Sequence, residues 1–161
     1  MPRINTPKSN HKGPAPLPGG HQYLPYTDWS YLHTLKRAIH IIDTRIRDNA
    51  GCNASFKALP GGRTFAQIWT DKSVWINFDP SKQDGDYGAT RGSDTTITAF
   101  SLMRGHWTVA ATLIHELAHV NGAPGNTHQA EATLKSCLLP GLEDPTIIGK
   151  LLLSPNTRRL A

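Results

Sequence analysis

The chain has no apolar run approaching the roughly 18 residues that a membrane-spanning helix needs. His, Glu, Pro or Gly breaks its longest apolar stretches. Met1-Pro2-Arg3 leads into no apolar segment of the kind a secretory signal peptide carries. The expectation is a chain that stays cytoplasmic, or one exported by a signal-independent route, or one domain of a longer protein. Cysteine is scarce: Cys52 and Cys137 stand alone without CxxC spacing, which excludes a paired-cysteine zinc site. Two buried thiols and a single bridge both fit them. Charged side chains are only 18% of the chain against 38% hydrophobic, which excludes a charge-rich disordered segment. Cations exceed anions, 17 to 12, for a net charge of +5. Yet Arg45, Arg47, Arg91, Lys150, Arg158 and Arg159 are scattered along the sequence rather than gathered in a dense stripe. Nucleic acid is therefore not an expected partner.

What remains is enough for one domain with its own core. Residues 1–26 are rich in Pro, Gly, Lys and Asn and read as a flexible leader. Residues 27–161 read as the folded domain. Thr27 or Asp28 can cap a helix in which Leu32, Leu35, Ile39, Ile42 and Ile46 recur at spacings of 3 and 4, ending near Gly51. His33 and His40 belong to that helix and read as packing or surface residues. Residues 64–70 and 74–78 are β-branched and aromatic around Asp71-Lys72, the pattern of a hairpin. A polar loop with Gly85, Gly88 and Gly92 follows, then a strand over 95–102. Residues 106–121 are helical in pattern until Gly122, Pro124 and Gly125 stop them. A second helix runs from about 126 to 139, and Asp144-Pro145 starts a short C-terminal one. The fold class is α+β, with a small antiparallel sheet between an N-terminal helix and the later helices.

The chemistry concentrates in His115-Glu116-Leu117-Ala118-His119. Histidines four apart on a helix lie on one face a turn apart, so two imidazoles can meet one metal ion. Zinc accepts such nitrogen ligands readily. Glu116 points around the helix and can reach a water without becoming a ligand, as a general base must. With only 3 Glu and 8 His in the chain, chance gives this pattern roughly once in a hundred such sequences.

This segment resembles the HExxH signature of the zincin metallopeptidases, over about 25 residues that include the next helix. The resemblance implies a zincin-like fold and one Zn²⁺ ion bound by His115 and His119. It also implies Glu116 as the catalytic base in hydrolysis of a protein or peptide substrate. The third ligand stays open. Metzincins place a histidine where Gly125 stands, so that pattern fails. Gluzincins take a Glu from a following helix, which Glu131 matches. Aspzincins take an Asp nine residues after the second His, and His128 occupies that position. Tyr87, His106 and Arg91 are candidate oxyanion donors. An edge strand at 95–102 would pair with an extended substrate, as in zincins. The size and Pro-rich leader resemble metallopeptidase toxin or effector domains that bacteria deliver into other cells, which implies an immunity or delivery partner. A non-catalytic zinc module and a basic interaction domain are the alternatives.

Overall fold

The computed structural model describes residues 1–16 and 20–137. Among them the chain forms six helices and a four-stranded sheet, an α+β arrangement. The predicted C-terminal helix after Asp144 lies outside the described residues. No helix among the described residues is long and apolar enough to cross a membrane.

Strand β1 is Arg3–Ile4, β2 Trp75–Asp79, β3 Gly88–Arg91 and β4 Asp94–Thr98, ordered β1-β2-β4-β3. The sheet is not the antiparallel one expected. β1 and β4 both run parallel to β2, and only β3 is antiparallel, to β4. The hairpin partner of β2 fails to appear because residues 65–70 are a helix, α3 (Phe65–Thr70). The β-branched composition loses to a capping box: the Thr64 hydroxyl accepts from Gln67 N, and the Gln67 side chain accepts from Thr64 N at 2.9 Å. Residues 88–91, expected to be loop, pair with β4 across Gly92-Ser93, where Gly92 at φ +62° supplies the positive φ of a two-residue hairpin turn. The strand expected over 95–102 stops at Thr98, whose hydroxyl accepts from Ser101 N and caps α4 (Ala99–Met103). β4 is thus an interior strand, and the edge belongs to β3.

Described segments of residues 1–26 pack on the sheet. Arg3–Ile4 extends the sheet, and Leu24 bridges Phe78. Trp75, Asn77, Asp79 and Thr96 point to the face that this N-terminal segment covers. There His11 stacks on Trp75 at 3.9 Å, Asn5 donates to Asn77 at 2.8 Å, and Thr96 donates to Gln22 O at 2.9 Å. Alternate residues Ile76, Thr95 and Ile97 point to the opposite, helical face and are fully buried.

On that helical side lie α1 (Trp29–Ile41), a π-helical turn (Ile42–Ile46), α2 (Ala50–Lys57), α5 (His106–Val120) and α6 (Gln129–Cys137). Asp28 caps α1 by accepting from Ser30 N and Tyr31 N. Leu35, Ile39, Ile42 and Ile46 form its buried stripe, each such side chain stabilising the fold by about 1.5–3 kcal/mol. Gly51 ends nothing: Asn49 caps α2 and Gly51 sits in its first turn. Cys52 on α2 and Cys137 on α6 are joined by a disulfide, resolving the two alternatives.

Candidate functional site

α5 is held by Val109, Leu113, Ile114 and Leu117, all buried, so the remaining face of the helix is fixed in rotation. His115 and His119 meet on it. Their rings are 4.9 Å apart at 71°, and the two Nε2 atoms face each other at 3.2 Å. The His119 tautomer follows from its other nitrogen. Nδ1 lies 2.7 Å from Ala123 O, and since a carbonyl only accepts, Nδ1 carries a proton, leaving Nε2 as the nitrogen that faces His115.

The turn after α5 delivers that carbonyl. Gly122 adopts φ +87°, its N–H donates to His119 O at 2.9 Å, and Ala123 N donates to Ala118 O at 3.0 Å. This is a Schellman ending, which needs glycine at the left-handed position. Asn121 pins it from behind: its side-chain amide donates to Phe56 O and Arg63 O at 2.7 and 2.8 Å. Gly122 therefore serves the geometry of His119 through a backbone oxygen.

Glu116 points to the sheet. Thr90 on β3 donates its hydroxyl to Glu116 Oε2 at 2.8 Å and to Glu116 O at 3.1 Å. Gly88 lets the edge strand come this close. A Cβ there would stand 2.6 Å from Thr96 O, 3.0 Å from Thr112 Cγ2 and 3.3 Å from Glu116 Cγ.

Burial governs the electrostatics. His115 is 1% exposed and Glu116 2%, whereas His119 is half-buried, so the site meets solvent on the His119 side. Burial, aided by the neighbouring His119, pushes the His115 pKa down to about 3, so that ring is neutral across the physiological range. Burial raises the Glu116 carboxyl above its ordinary range, opposed by His119 and by the Thr90 hydrogen bond.

The predicted third ligands do not join this pair. Among the described residues no group of three His, Cys, Asp or Glu side chains is arranged to hold a metal ion. The physical reason is the eight-residue connection between α5 and α6, locked at Asn121, which leaves His128 exposed just before α6. Glu131 is buried in the first turn of α6, with Oε2 lacking any hydrogen-bond partner among the described residues. His115 Nδ1 is likewise buried without one.

The three candidate oxyanion donors scatter. Tyr87 is buried against Phe100, Arg91 donates to Ala15 O at 2.8 Å, and His106 begins α5 nine residues from His115. Sequence reasoning missed Thr90, which lay in a segment without strand character. It also missed the N-terminal residues nearest in charge to Glu116. Tyr23, with its hydroxyl buried and unpaired among the described residues, has its pKa pushed up to about 12 by burial and then by Glu116. His21 is held by Asp79 at 2.8 Å, and that hydrogen bond raises its pKa against the opposing effect of burial.

No protein-family model matches this chain, and neither a curated protein nor a solved structure matches it.

Proposed function

We propose that the protein is a zinc-dependent endopeptidase in which His115 and His119 hold the metal and Glu116 is the general base. The observation that carries the reading is the facing Nε2 pair at 3.2 Å. Two nitrogens each about 2.05 Å from one tetrahedral zinc lie about 3.3 Å apart, so the rings already have the required separation. The fixed proton on His119 Nδ1 and the neutral state of His115 support the same reading, because a ligating imidazole must offer a bare nitrogen. As third donor we propose Glu131, which is not grouped with the two histidines among the described residues and would have to swing onto the metal as it binds; its side chain is buried, with Oε2 unpaired among those residues, on the helix packed against α5.

Zinc held by these residues would supply a Lewis acid and a water acidic enough to be deprotonated near neutral pH. The remaining work falls to the chain. Glu116 would take a proton from the attacking water and pass it to the leaving amine; its raised proton affinity favours the first of these transfers. Thr90 fixes the carboxylate, so the base need not be ordered during reaction. β3, as the antiparallel edge strand beside Glu116, is the element we assign to pair with an extended peptide.

The Cys52–Cys137 bridge supports an oxidising working environment, which suits a delivered toxin or effector better than a resident cytosolic enzyme. The test is metal content by mass spectrometry beside cleavage of a quenched-fluorescent peptide library. Parent protein should bind about one zinc and hydrolyse peptides. Glu116→Ala should keep the zinc and lose cleavage by at least about 100-fold. His115→Ala should lose the zinc. Undiminished zinc in His115→Ala would refute the site. Zinc binding without hydrolysis by the parent would leave a non-catalytic zinc module.

A further inference from the structure

Folding gathers cations that the linear sequence disperses. His33, Lys36, Arg37 and His40 recur along α1 at spacings of 3, 1 and 3, on the side away from the buried Leu35–Ile39 stripe. The π-helical turn adds Thr44 and Arg45 to the same ridge. The ridge from residue 33 to 44 is about 16 Å long at about 1.5 Å per residue. His106 and Trp107, at the start of α5, form the facing wall of a groove of about 750 Å³. No carboxylate of the described residues lines it. Lys36, Arg37 and Arg45 take part in none of the ion pairs among the described residues, which engage Arg47, Arg63 and Arg104 instead.

Aromatic faces accompany the charge. The Arg45 guanidinium lies 5.8 Å from the Trp107 ring centre. Trp29, 75% exposed, stacks on His33 at 5.2 Å and 17°. An exposed indole costs solvation, and here it is pinned flat at the end of a cationic ridge. The groove is also separate from the HExxH pair. Nine residues from His106 to His115 place them about 14 Å apart along α5 and half a revolution around it.

We infer that this groove binds single-stranded nucleic acid, with Lys36, Arg37 and Arg45 on phosphates and the indoles of Trp29 and Trp107 stacking bases. An acidic peptide would use the cations and leave the indole faces idle. A phosphate chain carrying flat bases uses both. The overall charge of +5 and pI near 9.4 are in keeping with such a ligand.

Fluorescence anisotropy of a labelled thymidine strand of about twelve nucleotides tests the inference on the full chain. Three phosphate contacts predict about twenty-fold weaker binding at 200 mM than at 50 mM salt. Arg37→Glu and Arg45→Glu should each weaken binding about ten-fold or more, and Trp29→Ala about five-fold or more. Lys57→Glu, the same charge change on exposed α2, should change it less than about two-fold. Circular dichroism of each variant confirms that it folds. Equal losses in Lys57→Glu would mean unspecific attraction and overturn the site. Absence of binding at 50 mM salt, equal affinity for a duplex, or equal competition by a polyglutamate peptide would overturn the ligand class.

Discussion

Removing the Cys52–Cys137 bridge tests how α6, the helix carrying Glu131, is held in place. The two cysteines are 85 residues apart in sequence, and closing a loop of that length in the unfolded chain costs it about 4.5 kcal/mol of entropy at room temperature. The bridge ties α6 to α2, and α6 otherwise rests on packing against α5 and α2 through Ala130, Leu134 and neighbouring side chains. The Cys52→Ser/Cys137→Ser double variant should therefore lose about 4 kcal/mol. In urea this lowers the midpoint by about 2 M, for a slope typical of a chain this size. Parent protein in reductant should behave like the double variant. Hydrogen exchange gives the location: amides of α6 should lose protection first, while α5 and the sheet keep theirs until global unfolding. A loss below about 1 kcal/mol, or protection lost evenly over the whole chain, would refute the reasoning, since α6 would then be secured by packing alone.

Two further outcomes follow from single hydrogen bonds. Thr90→Val deletes the donor to Glu116 and with it an influence that lowers the Glu116 pKa; the acid limb of kcat/KM should move to higher pH and the rate fall about ten-fold or more, and an unchanged profile would separate Thr90 from catalysis. The His21–Asp79 pair bears on stability. His21 has its pKa raised, so its contribution is full below about pH 6.5 and disappears as pH climbs through the raised value. Asp79 has its pKa lowered, since His21 and the N–H groups of Ser81 and Gln22 outweigh the effect of burial; its contribution is present above about pH 4 and disappears at lower pH. Denaturation of His21→Ala against pH should show a loss of about 1–2 kcal/mol near pH 6, shrinking in alkali; a loss independent of pH would mean that His21 acts by packing alone.

The parts of the molecule legible in the sequence are those with sustained periodicity. α1 and α5 follow from stripes more than ten residues long, and His115, Glu116 and His119 follow because a helix converts a spacing of four into proximity. Short segments misled for physical reasons. Six residues of α3 are too few to separate a helical period from a strand, and the Thr64–Gln67 exchange decided it. β3 has Gly, Ala, Thr and Arg, no strand-forming composition, and exists because a glycine turn lays it on β4. The leader read as loose because Pro and Gly dominate it. The opposing signal was the alternation of Asn77 and Asp79 with apolar neighbours in β2: polar side chains on a strand that end up buried require a covering partner, and Asn5, His21 and Gln22 supply it. The same helical wheel that gives α1 its core stripe also aligns His33, Arg37 and His40 on the outer side, a grouping invisible to a count of scattered cations. Which residue would complete a metal site was illegible because it depends on the path of eight connecting residues rather than on any period.

Pairing of Arg3–Ile4 with β2 has a practical consequence for anyone trimming the gene. A truncation starting at residue 27 would delete the outermost strand and turn β2 into a naked border with free amides and carbonyls along Trp75–Asp79. It would also uncover Asn77 and Asp79 on one side and remove the ring stacked on Trp75. Such a border recruits other chains, so the shortened protein should precipitate or oligomerise.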